Sequence, residues 1–148
     1  MKLIRGLFVA GVFLICALPV HQAQARGPST PEERAKVVQL TRLLERDPLN
    51  ENAGATRQWL REWIADVPDI RFKACDDLLG HALGDNYPYS REVNLQTIFS
   101  GAAFALEHQD KARDDIAQYH AGVEGALRLY EVLVKSKPDA SSRIPLIA

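Results

Sequence analysis

The chain has 148 residues, of which 18 are Lys or Arg and 19 are Asp or Glu, for a formal net charge of −1. That balance argues against nucleic acid or an anionic membrane surface as the partner, since both are bound through an excess of Lys and Arg. With only Cys16 and Cys75 available, a disulfide-stapled scaffold is also excluded, and the fold has to be held by its core.

In chain order, residues 1–25 have the three zones of a secretory signal: basic Lys2 and Arg5, an apolar run from Leu7 to Leu18, and the small-residue pattern Ala23-Gln24-Ala25. The run is shorter than the roughly twenty residues that a membrane-spanning helix needs, and Pro19, His21 and Gln22 close it. Cleavage between Ala25 and Arg26 is expected, with no stable membrane anchor afterwards and a periplasmic or secreted product. Leu14-Ile15 ahead of Cys16 argue against lipidation, which prefers a small residue there. Removing the signal leaves 16 basic against 19 acidic residues in a chain of 123, long enough for one domain with a single core. It also leaves Cys75 alone, as a buried small hydrophobe, a dimerising thiol or a reactive one.

Thr30-Pro31-Glu32-Glu33 opens the first predicted helix with an N-cap, a proline at the first helical position and a capping-box glutamate. It runs to about Arg46, with Val37, Leu40, Thr41 and Leu44 on one face, and Pro48 stops it. A second helix starts near Asn50 to Asn52 and carries Thr56, Trp59, Leu60, Trp63, Ile64 and Val67 to Pro68, with the two tryptophans as core anchors. Residues 68 to 86 read as irregular, with a short helix over 74–79 ended by Gly80. Asp85-Asn86-Tyr87-Pro88-Tyr89 is a turn by composition, and Ser90 is the expected N-cap of a third helix with Leu95, Ile98, Phe99, Ala102, Ala103 and Leu106 on one face. The fourth helix places Ile116, Tyr119, His120, Val123, Leu127, Tyr130 and Val134 together, with Gly122 and Gly125 permitting close approach. Pro138 ends it ahead of a short tail.

These elements define an all-α domain over 26–148: four long amphipathic helices and a short irregular middle, packed as a helical bundle or a helical-hairpin array. The segment from Ala121 to Tyr130, followed by Pro138-Asp139-Ala140, resembles part of a tetratricopeptide unit, as does Leu43 to Pro48. The helix-ending prolines at 48, 68 and 138 do not keep the period of about 34 that an array requires. Leu44-Glu45 with Asp47-Pro48, the Trp59/Trp63 helix, Val67-Pro68-Asp69-Ile70 before Cys75, and Gly122 to Leu127 with Tyr130 also resemble a group of small exported bacterial helical proteins. That resemblance implies a shared fold and export, and supplies no activity.

Chemistry is sparse in this pattern. His81, His108 and His120 form no His-x-x-x-His pair, and His120 with Glu124 is the one helical pairing that a metal would notice. Cys75 precedes Asp76-Asp77, whose charges would raise a thiol pKa and oppose activation. Glu32-Glu33, Asp76-Asp77 and Asp114-Asp115 fit early helical turns, where the helix dipole favours acids. No catalytic residue, metal or cofactor is assigned. The expected function is non-catalytic binding of another envelope protein through a helical surface; Tyr87 and Tyr89 belong either to that surface or to a turn packed back onto the core. The alternative is an envelope enzyme or accessory subunit with a dispersed site.

Overall fold

The computed structural model describes residues 26–71, 83 and 87–138. Among them the chain is all-helical: α1 (Pro31–Arg46), α2 (Ala53–Asp66), α3 (Ser90–Glu107), a 3-10 turn at Gln109–Lys111, and α4 (Asp115–Ser136). The signal residues 1–25, Cys75, Asp76-Asp77, His81 and the tail after 138 lie outside the described residues.

α1 begins as its sequence dictates. The Thr30 hydroxyl accepts from the Glu33 N–H at 3.2 Å, and the Glu33 carboxylate accepts from the Thr30 N–H at 2.9 Å, closing the capping box. Ahead of it, Ser29 is held by Asp69, which accepts from its N–H at 2.9 Å and its hydroxyl at 2.7 Å, and from Arg34 Nη2 at 2.8 Å. Arg26 pairs with Glu33 and lies over the Trp63 ring, 5.5 Å from its centroid. Trp63 is core and stacks at 6.4 Å on Trp59, a partly buried residue that Lys36 covers at 4.0 Å.

The bundle is built around α3. Its contact with α4 is the most extensive among the described helices; α1 packs on both, and α2 packs on α1 and α3. One apolar cluster joins α1, α2 and α3 through Val37, Leu44, Leu60, Trp63, Phe99 and Leu106. A second joins α3 and α4 through Val93, Ala126, Leu129, Tyr130 and Leu133, with Leu83 and Tyr87.

Three details differ from the periodicity. Ser90 is the first residue of α3 and not its cap; Tyr89 takes that place and makes no side-chain capping bond. α3 buries Val93, Gln96, Thr97 and Ser100 along with the expected Phe99, Ala102, Ala103 and Leu106, while Leu95 and Ile98 of the expected face are only partly buried, because neighbours on several sides leave it no single inner face. On α4 the buried set is Gln118, Gly122, Gly125, Ala126, Leu129, Tyr130 and Leu133, while Ile116 is 72% and Leu127 39% exposed. The predicted face followed the bulky residues. The observed face follows the glycines, because they allow α4 to lie directly on α3.

Candidate functional site

Of the residues singled out by sequence, the turn tyrosines pack inward. Tyr87 is only 3% exposed and packs in the second apolar cluster, with Tyr89 at 6.0 Å and Tyr130 at 6.3 Å in edge-on contacts. Tyr89 is partly buried against the same cluster. The turn therefore folds back onto the core and offers no free aromatic pair. Burial pushes the Tyr87 phenol up to about 12, with smaller contributions from Tyr130, Tyr89 and Glu92.

The described histidines, His108 and His120, lie apart from any cluster of ligands. His108 packs against Phe104 in a tilted contact, ring centroids 4.5 Å apart, and His120 is exposed on α4. Glu124, the helical neighbour of His120, has its carboxylate 3.9 Å from Arg128. Among the described residues no three His, Cys, Asp or Glu are grouped as a metal would need. Glu32, Glu33 and Asp115 occupy first helical turns, and Asp114 caps α4 by accepting from the Ala117 N–H at 3.0 Å.

The cluster that the sequence did not announce is centred on Glu45, whose side chain is 5% exposed where α1, α3 and α4 meet. It accepts from Arg42 Nη1 at 2.7 Å, Ser100 Oγ at 2.8 Å, Arg128 Nε at 3.0 Å and Arg128 Nη2 at 3.2 Å. Ser100 in turn accepts from Gln96 at 3.0 Å, and Arg42 reaches on to Glu107 at 2.6 Å. Gly125 makes this possible: a Cβ there would stand 1.9 Å from Ser100 Oγ and 2.8 Å from Glu45 Oε1. Four donors saturate the carboxylate, so it braces three helices and has little capacity left for a substrate.

Burial pushes the Glu45 carboxyl up, but the bonds from Arg128 and Ser100 and the charges of Arg42 and Arg128 outweigh burial and hold it below 4.5. A carboxyl lowered in the folded state adds stability that is present above its unfolded value and lost as pH falls through its folded value. Urea denaturation below pH 4.5 should thus show a steep loss of stability. Glu45→Gln should be less stable at neutral pH and lose less on acidification, with a remainder from Glu33 and Asp69, which are also lowered. An unchanged acid slope in that variant would remove Glu45 from the account.

A second cluster faces solvent. A cleft of about 160 Å³ between α2 and the start of α3 is lined by Gly54, Arg57, Gln58, Arg61, Arg91, Glu92 and Leu95. Arg57 is pinned by its Nη2, which donates to the Pro48 carbonyl at 2.6 Å, while its Nε is enclosed with no hydrogen-bond partner among the described residues. Burial, with repulsion from Arg91, lowers the Arg57 guanidinium from its ordinary value against the opposing pull of Glu92. Among the described residues, Arg61 and Arg91 make no ion pair.

No family model, curated protein or solved structure matches the chain. The reading of its surface therefore rests on its own geometry. Arg57 and Arg61 are four apart on α2, a basic stripe visible in the sequence. Arg91 lies thirty residues further on, and only the packing of α3 beside α2 brings it to the same cleft.

Proposed function

We propose that this protein is an exported, non-catalytic helical binding protein. The observation that carries this reading is the lining of the cleft between α2 and α3, where three guanidiniums meet one carboxylate. Guanidiniums stay charged across the physiological range and exchange no proton. They suit holding a charged group more than acid–base work on it. The buried Glu45 cluster supports the same reading, because its polar groups are engaged with one another. Export rests on the signal pattern in residues 1–25. No helix among the described residues is long and apolar enough to cross a membrane.

Two measurements test the reading. Intact-mass analysis of the protein recovered from the envelope should give a chain beginning at Arg26; retention of residues 1–25 would overturn export by cleavage. The purified protein, used as bait in its own envelope fraction, should retain a partner that elutes chemically unchanged. Recovery of a chemically converted molecule would replace the binding reading with the enzyme.

A further inference from the structure

We propose that the cleft between α2 and the start of α3 binds a dianionic phosphoryl group through Arg57, Arg61 and Arg91. This rests on the binding reading and gives it a ligand class.

The first observation is unbalanced charge. Three guanidiniums and Glu92 line one small concavity, a local excess of two positive charges in a chain whose total charge is −1. Arg57 and Arg91 stand near enough to repel one another. Like charges brought together in this way are stabilised by an anion between them, and the described part of the chain supplies only Glu92.

Rigidity is the second observation. Arg57 is tied to the Pro48 carbonyl and half-buried, so one fork of the site is held in place before any ligand arrives. That arrangement reduces the ordering cost of binding. Arg61 sits one turn further along the same helix, and Arg91 is the second residue of α3. α2 also starts beside the cleft with no capping side chain and no acid in its first turn, which adds partial positive charge to what the guanidiniums supply.

Size and charge then select the ligand. A space of about 160 Å³ is well below the roughly 300 to 1,000 Å³ of sites that enclose a whole small molecule, so it fits a headgroup whose remainder lies outside. Phosphate or a phosphate monoester carries roughly two negative charges near neutral pH, matching the excess, whereas a carboxylate or a phosphodiester carries one. Its several acceptor oxygens also suit planar guanidinium forks. The phosphoryl group has two possible sources: free phosphate, or a monoester at the end of a larger envelope molecule such as a lipid.

The test is calorimetric titration of the purified protein with inorganic phosphate at low ionic strength and near-neutral pH, with acetate as the monoanion. In parallel, flotation is measured with phosphatidylcholine vesicles with and without phosphatidic acid. Phosphate should bind more tightly than acetate. Arg61→Ala and Arg91→Ala, both at exposed positions, should each weaken it about tenfold or more, the loss expected for a charge-assisted hydrogen bond. Glu92→Gln should strengthen it, a gain that a merely structural role for these residues would not produce. Flotation only with phosphatidic acid, lost in the same arginine variants, would support the site and place its ligand on a lipid. Binding to neither probe, equal binding of acetate, or affinity indifferent to Arg61, Arg91 and Glu92 would each overturn the proposal. The wider binding reading would then still stand or fall on whether the envelope partner is retained or converted.

Discussion

Gly125→Ala is expected to destabilise the protein by about 3 kcal/mol, at the upper end of the usual cost of overpacking a core. The added Cβ would lie 1.9 Å from Ser100 Oγ, 2.3 Å from Ser100 Cβ and 2.8 Å from Glu45 Oε1. None of these atoms has an easy way out. Ser100 is fully buried on α3, and Glu45 is fixed by Arg42 and Arg128. Either α4 lifts away from α3 or the Glu45 cluster breaks, and both disturb the α3–α4 contact. Removing the hydroxyl with Ser100→Ala in the same chain should recover only part of the loss, because the Ser100 Cβ contact remains. Gly54→Ala is the control: a Cβ at Gly54 meets nothing within 4 Å, so the change should stabilise by about 0.5 to 1 kcal/mol through helix propensity. Urea or thermal unfolding of the two variants should move in opposite directions. A shift of the same sign and size in both would mean that the α3–α4 approach is looser than described.

Tyr87→Ala should cost about 3 to 5 kcal/mol, the range for deleting a buried aromatic side chain. The ring is 3% exposed and packs with Leu83, Val93, Ala126, Leu129, Tyr130 and Leu133, so its removal opens a cavity lined by both the turn and α4. Tyr87→Phe should behave very differently. The Tyr87 hydroxyl is buried with no hydrogen-bond partner among the described residues, and removing it should be neutral or stabilising by up to about 1 kcal/mol. Equal destabilisation by Phe and Ala would show that the hydroxyl has a partner, and a small effect of Ala would show that the turn is not anchored here. Loss of a binding partner in a Tyr87 variant would consequently report damage to the fold before it reported a contact surface.

The local chemistry was legible without the fold. Thr30, Pro31 and Glu33 define the start of α1 because capping is an interaction among near neighbours, and Pro48 and Pro68 end two helices for a similarly local reason. The all-α class follows from the same information, since apolar residues spaced for helices need no partner to be recognised.

What the spacing left open was which residues face inward when small ones compete with large. A stripe such as Ile116, Val123 and Leu127 reads as a core face, yet a glycine seam lets α4 approach α3 so closely that the axis rotates toward Gly122 and Gly125 and leaves Ile116 in solvent. The same distinction explains both charged clusters. Glu45, Ser100 and Arg128 come from three helices, and Thr41 and Gln96 beside them from two. The cleft arginines likewise come from two. Sequence by itself determined where α1 begins and where α1 and α2 give way to Pro48 and Pro68, because those choices depend on neighbours along the chain. Only the tertiary structure decided which charges meet, because side chains tens of residues apart become neighbours only once the helices are packed.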